Sequence, residues 1–285
     1  MLGPKTPIGG VMEYAQMEAL ALLPLADKIE KAVSVLAEAL EKFGPQGMAL
    51  AVTGGKDSTL TLDFAREAAS RRGVSLPECV FIDEGDGFFE IADQMARLKA
   101  QWGVAPRTLR NDSLLGAGRA VGERIAVAGL SPENRAELAR LGFTDETLVF
   151  DPDSPQGSHL TKTVPLTRYL RESGTKALVT AIRWDEHESR LSEEFMSPRQ
   201  EPPHMRVHPI LHFSERDVWD ATFLRNIPFC ELYRQGYRSL GTRSGTVKNA
   251  DIPAWEQDLE NTPERAGRGQ DKEAAMEQLR ALGYM

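Results

Sequence analysis

The stretch MALAVTGGKDST, residues 48–59, decides the fold. Met48 to Val52 are apolar without the alternation of a half-exposed strand, and the run stops at Gly54 and Gly55. An unbroken apolar run ending in glycine is the pattern of a strand buried on both faces of a parallel sheet. Leu60, Phe64 and Ala68 then recur at four-residue steps, so a helix from Asp57 to Arg72 follows the turn directly. At such a junction backbone N–H groups point outward at the positive end of the helix dipole, and glycines let an anion approach the backbone. Thr53, Lys56, Ser58 and Thr59 add donors. These elements together suit a phosphate or pyrophosphate. The spacing is neither the GxxxxGKS/T of the Walker loop nor the GxGxxG of dinucleotide sites. The competing reading is a plain turn capped by Asp57 or Ser58.

The flanking sequence supplies a sheet around this strand. Cys79 to Ile82 form a second buried run ending at Asp83, and a helix is expected from about Phe88 to Trp102. Strand, helix, strand, helix with short loops is a βαβ unit and requires parallel strands. Residues 104–110, 177–182 and 206–210 are predicted as third, fourth and fifth strands, the last with Pro209 near its end. Residues 114–127 and 131–141 read as helical, and another helix runs from about Thr161 to Arg171. Ser214 and Asp217 frame the start of a helix carrying Val218, Trp219 and Phe223. Upstream, Leu20, Leu23, Ile29, Val33, Leu36 and Leu40 follow a helical period, divided at Pro24 and ended by Gly44 and Pro45. The expected architecture is α/β, with about five parallel strands flanked by helices. A helical lead-in is expected at 1–44, beginning with a loose arm at 1–10. The α/β domain follows at 45–228. An irregular tail at 229–285 would complete the site and close with an amphipathic helix around 271–282.

Composition narrows the function. The chain has 285 residues, 41% hydrophobic and 27% charged, enough for a sizeable core without disulfides or metals. A net charge of −8 disfavours a general nucleic-acid or acidic-membrane binder. The two cysteines, Cys79 and Cys230, form no CxxC pair, and such usage suits a reducing cytosol. The absence of a long apolar run and of a signal-peptide pattern adds to the expectation of a cytoplasmic protein without membrane spans. His204, His208 and His212 recur every four residues, but around a strand interrupted by Pro209, so no metal site is expected there. Trp184, Trp219 and Phe223 are read as core. Arg234, Arg238, Arg243 and Lys248 have no acid between them, and are expected to concentrate positive charge at one cleft.

Several blocks carry a family resemblance. TGGKDST resembles the SGGKDS loop of the PP-loop ATP pyrophosphatases, with Thr53 keeping the hydroxyl of the usual serine. Phe81-Ile82-Asp83-Glu84-Gly85 with Phe89-Glu90, the run from Thr180 to Arg190, and the run from Arg206 through Trp219 to Tyr233 resemble three further blocks. They are those of the phosphoadenylyl-sulfate reductase and sulfate adenylyltransferase small-subunit group. The resemblance implies a Rossmann-like adenine-nucleotide hydrolase fold and cleavage of ATP between the α and β phosphates. It implies that Gly54, Gly55, Lys56, Asp57 and Ser58 hold the β,γ-phosphates, with Thr53 donating a hydroxyl and Asp83 near the adenosine. Arg183 and Arg190 would face the α-phosphate or the oxyanion, and Asp185 would orient an arginine or help hold Mg²⁺. Arg238 and Arg243 would close over the site. Each has a structural alternative: a turn cap for Asp83, an ion pair for Arg183 and Asp185, and solvated charges for Arg190, Arg238 and Arg243.

Within that group the reductases use a cysteine nucleophile in a C-terminal ECGLH segment, which this chain lacks, so a reductase acting alone is disfavoured. Adenylyl transfer needs no protein nucleophile. Tyr237-Arg238-Ser239-Leu240-Gly241, Glu264-Arg265-Ala266-Gly267-Arg268 and Ala274 to Tyr284 resemble the tail of the sulfate adenylyltransferase small subunit, with Thr242 where a cysteine is usual. The expectation is a sulfate-activating adenylyltransferase using ATP with Mg²⁺, forming an oligomer and working with a GTPase partner subunit. The alternatives are adenylation of another oxyanion, carboxylate or amide, a reductase-like protein without its cysteine, and a non-catalytic nucleotide binder.

Overall fold

The strand Met48–Ala51 (β1) lies inside the sheet, between Glu78–Asp83 (β2) and Ala177–Val179 (β6), parallel to both. A computed structural model describes residues 13–116 and 118–267; the arm at 1–10 and the closing helix expected at 271–282 lie outside them. In chain order the remaining strands are β3 (Arg107–Arg110), β4 (Arg124–Ala126), β5 (Thr147–Val149), β7 (Met196–Gln200) and β8 (Pro203–Val207). The helices are α1 (Tyr14–Ala21), α2 (Leu25–Phe43), α3 (Lys56–Arg72), α4 (Phe89–Trp102), α5 (Asp112–Leu115), α6 (Pro132–Arg140), α7 (Pro155–Ser158), α8 (Val164–Ser173) and α9 (Glu215–Leu224). Among the described residues the main sheet has the order β3-β2-β1-β6-β8-β7, parallel except for β7, which runs against β8. The mostly parallel α/β sheet expected from the sequence is therefore present, with one more strand.

Burial explains why β1 shows no alternation. Met48 and Leu50 pack on one face with Val33, Leu36 and Leu40 of α2, Leu60 and Phe64 of α3, and Val218 of α9. Ala49 faces the other side with Val80, Leu178 and the α8 residues Tyr169 and Leu170. Each large apolar side chain so buried contributes about 1.5–3 kcal/mol. The helix read as a lead-in, α2, is thus part of the main core. Its Lys28 ammonium lies 2.5 Å from the Asp217 carboxylate on α9.

Three segments depart from the expectations. Residues 114–127 are not one helix: α5 ends at Gly116, whose φ of 51° suits glycine, and β4 pairs antiparallel with β5. This small ribbon packs its own cluster, Leu114, Leu115, Ile125, Leu148, Phe150 and Leu160. The helix expected at Thr161 begins earlier, as α7 and a π turn at His159–Thr163 that leads into α8. Strand β7 has Pro198 at its centre, which an edge strand tolerates. Among the described residues no helix is long and apolar enough to cross a membrane.

Candidate functional site

The loop after β1 is built by its own hydroxyls. Ser58 Oγ accepts from Thr53 N at 3.1 Å, lies 3.0 Å from Thr53 Oγ1, and donates to the Gly55 carbonyl at 3.0 Å. Gly54 has φ +78°, and a Cβ there would meet Ile91 and Met95 of α4 within 3.2–3.3 Å. A side chain there would strain the backbone and press on the side chains of α4. No side chain caps α3. The Lys56 amide instead donates to the Tyr233 hydroxyl at 2.8 Å, so the tail reaches back to the helix start.

Lys56 sends its side chain inward. Its ammonium, fully buried, donates to Glu264 Oε1 at 2.6 Å and to the Arg238 carbonyl at 2.9 Å. Asp57 Oδ2 lies 3.3 Å away and Glu215 Oε1 3.8 Å. Burial works against the Lys56 charge, but Asp57, Glu264 and Glu215 outweigh it and hold its pKa above the ordinary lysine value. Arg183, 1% exposed, pairs with Asp57, with Asp185 at 2.9 Å, and with the other oxygen of Glu264. Glu264 thus bridges the two buried cations nearest the loop. Burial would raise its pKa, yet Arg183 and Lys56 hold it well below the usual carboxylate range. For Asp185 burial prevails and its pKa is raised.

The start of α9 locks this network in place. Asp185 Oδ2 accepts from the Glu215 amide at 2.8 Å, and the Glu215 carboxylate receives Arg238 at 2.6 Å. Arg238 also donates to Thr262, and Arg265 pairs with Glu186 at 2.6 Å. A cavity of about 520 Å³ opens beside these groups, lined by Asp185, Glu186, Arg216, Arg238 and Glu264 among others. The sequence-predicted residues Lys56, Asp57, Arg183, Asp185 and Arg238 therefore meet in one cluster. Glu215, Tyr233, Glu186, Glu264 and Arg265 belong to it without having been singled out. Glu264 and Arg265 had a signal, the ERAGR block, to which no role was attached.

The parallel α/β fold is matched by known proteins. The family model of the phosphoadenosine phosphosulfate reductase domain matches residues 132–248. An adenosine 5'-phosphosulfate reductase of Geobacillus kaustophilus is 23% identical over 228 residues, 80% of this chain and 84% of that protein. A probable FAD synthase of Caenorhabditis elegans is 26% identical over 223 residues, 78% of this chain and 34% of the longer relative. Among solved structures, Candida glabrata FMN adenylyltransferase in complex with FMN and an ATP analogue superposes with a TM-score of 0.58 at 19% identity, covering 91% of this chain and 80% of that one. This chain belongs to the PP-loop ATP pyrophosphatase superfamily. TGGKDST resembles that superfamily's PP-loop.

Other residues named from the sequence lie around the PP-loop cluster. Asp83, at the end of β2, accepts from the Gly85 amide at 2.9 Å and pairs with Arg110 at 3.2 Å. Arg190 ends a short turn, Glu188–Arg190, and its Nε is buried without a hydrogen-bond partner. Arg243 is 56% exposed, 3.6 Å from Asp86. The four cations of 234–248 do not converge on one cleft: Arg234 pairs with Glu231, Lys248 with Asp251, Arg243 with Asp86, and only Arg238 turns inward. Thr242, at the family cysteine position, donates to Asp153 Oδ2 at 2.5 Å. Gly245 packs so closely that a Cβ would fall 1.6 Å from the same oxygen. Burial pushes the Cys79 thiol up to about 12 and the Cys230 thiol up to about 11, so neither supplies a thiolate near neutral pH. Among the described residues no group of three His, Cys, Asp or Glu side chains is arranged for a metal ion.

Proposed function

We propose that the protein transfers the adenylyl group of ATP to an oxyanion acceptor. The observation that carries this reading is the meeting of Lys56 and Arg183, both fully buried, on one carboxylate beside the PP-loop helix start. A carboxylate held there marks the place for a phosphate oxygen. Two fixed cations and the α3 N-terminus would neutralise charge developing on the leaving pyrophosphate. An oxygen of the acceptor attacks the α-phosphorus, the bond to the bridging oxygen breaks, and pyrophosphate departs. The loop residues Thr53 to Ser58 hold the β,γ-phosphates, and Arg183, oriented by Asp185, faces the α-phosphate. Mg²⁺ enters as the ATP complex rather than as a resident ion. The reductase alternative, which the family match and the reductase relative favour, lacks a nucleophile, because both thiols of the chain are buried and protonated.

Sulfate is the acceptor we favour, from the tail blocks at 237–241 and 264–268, working with a GTPase partner. A second acceptor, FMN, is favoured by the similarity to a probable FAD synthase and to FMN adenylyltransferase. Adenylyl sulfate and FAD are both AMP joined through its phosphorus to an oxyanion, so one site chemistry serves either. The test is pyrophosphate release from MgATP with sulfate, with and without a sulfate-activating GTPase, and separately with FMN. Release with one acceptor identifies it, and Lys56→Ala should abolish that release. Absence of release in every arm would overturn the reading.

A further inference from the structure

Strand β8 turns a polar face away from the main core. His204, Arg206 and His208 alternate along it, while Met205 and Val207 turn to the opposite side and join the main core. The neighbouring β7 pairs Arg199 with His204 and Ser197 with Arg206, which places Arg199 on the same face. The segment after Arg183 lies over this face. Its Glu193 receives Arg199 at 2.5 Å and lies 3.4 Å from His208 Nε2, and the Glu193 amide donates to the Arg190 carbonyl at 3.0 Å. Arg199 is thus paired with Glu193, and Arg206 lies close enough to feel the charges of Arg199, Glu193 and Arg190.

Their hydrogen bonding is incomplete. Arg190 Nε and Arg199 Nε are buried without partners. Arg206 Nε donates to a histidine nitrogen, His204 Nε2, at 3.1 Å, and not to an acid. The nearby Glu186 pairs with Arg265 at 2.6 Å and also feels the charge of Arg190, so it is shared between them. The histidines do not alter this balance: burial pushes His204 down to about 4 and lowers His208, so both are neutral near pH 7. Burial and the neighbouring Arg199 press Arg206 itself down to about 10, the response of a cation short of counter-charge. A group of buried positive charges with open donors is costly until an anion completes it. Guanidinium forks match the paired oxygens of a tetrahedral oxyanion.

The location suits a second substrate. His208 follows β8 and its Nδ1 lies 2.7 Å from Thr180 Oγ1, just beyond the end of β6. The carboxyl ends of parallel strands are where ligands bind in open α/β sheets. Arg183, three residues after Thr180, reaches back to the PP-loop helix. We propose that Arg190, Arg199 and Arg206 form the pocket for the acceptor's tetrahedral oxyanion group, an inference that rests on the adenylyl-transfer reading.

The test measures binding rather than turnover, so that the two readings fail separately. Full-length protein, saturated with a non-hydrolysable ATP analogue, is dialysed against radiolabelled sulfate in one arm and FMN in the other. Arg206→Met and Arg190→Met should each weaken acceptor binding by about tenfold or more, while affinity for the ATP analogue stays within about twofold. If Arg206→Met does not fold, Arg190→Met, on a turn outside the sheet, carries the same expectation. The arm that shows the arginine-dependent loss identifies the source of the oxyanion. Equal acceptor binding by wild type and Arg190→Met, or no binding of either acceptor by wild type, overturns the pocket. Arginine-dependent binding without pyrophosphate release would uphold the pocket and remove the adenylyl-transfer reading instead.

Discussion

At the residue scale the central question is what Glu264 does between Lys56 and Arg183. On the adenylyl-transfer reading it occupies two cations that an incoming polyphosphate would use, so ATP and the Glu264 carboxylate would compete for them. Glu264→Gln should therefore tighten ATP binding, read by titration with a fluorescent ATP analogue. The same change leaves two buried cations with less counter-charge, and should destabilise the ATP-free protein by about 3 kcal/mol. Added ATP should restore most of that loss in a thermal melt. Unchanged or weaker ATP binding would show that the carboxylate is no competitor. The strand, glycine turn and helix of 48–72 were legible in the sequence because a local pattern fixes them: apolar run, two glycines, hydroxyls and a helix. The role of Glu264 was not, although the ERAGR block marked its position, because its partners lie 208 and 81 residues away and no local periodicity reports such pairing.

At the element scale, α9 couples stability to the site. Asp217 accepts from Ser214 N at 2.7 Å and from Ser214 Oγ at 2.8 Å, while the Asp217 amide donates to Ser214 Oγ, a capping box. Asp217 also neutralises Lys28 on α2, whose side chain is 4% exposed. Asp217→Ala should cost about 3 kcal/mol in urea unfolding, because it strands a buried ammonium as well as a cap, against about 1 kcal/mol for Ser214→Ala. Equal losses would mean that the Lys28 pair adds nothing. This helix start was readable, since Ser and Asp three residues apart are a cap signal. Strand β7 was not, because Met196 to Gln200 carry neither an apolar run nor alternation, and Pro198 argues against a strand except at an edge. The ribbon β4–β5 escaped for a related reason: three-residue strands are too short for a period to show.

At the scale of the whole molecule, acid should loosen the joint between the α2 layer and the sheet. His212, 1% exposed, donates from Nε2 to the Lys28 carbonyl at 3.1 Å, on the helix that Asp217 ties to α9. Burial pushes its pKa down to about 4, as it does for His204, and lowers that of His208. In the folded chain these rings stay neutral where the unfolded chain, with histidine near 6.5, takes up protons. The unfolded state then binds more protons between about pH 4 and 6.5, so this contribution is complete above 6.5 and lost as pH falls towards 4. Glu193, held at about 2, works in the same direction in a lower window, below the ordinary carboxylate range. His212 alone should remove about 2 kcal/mol between pH 7 and pH 5. His212→Gln keeps a donor for the Lys28 carbonyl but cannot titrate. Its unfolding free energy should fall less steeply over that interval than that of the wild type. Parallel pH profiles for the two proteins would place the acid sensitivity elsewhere than at the α2 joint.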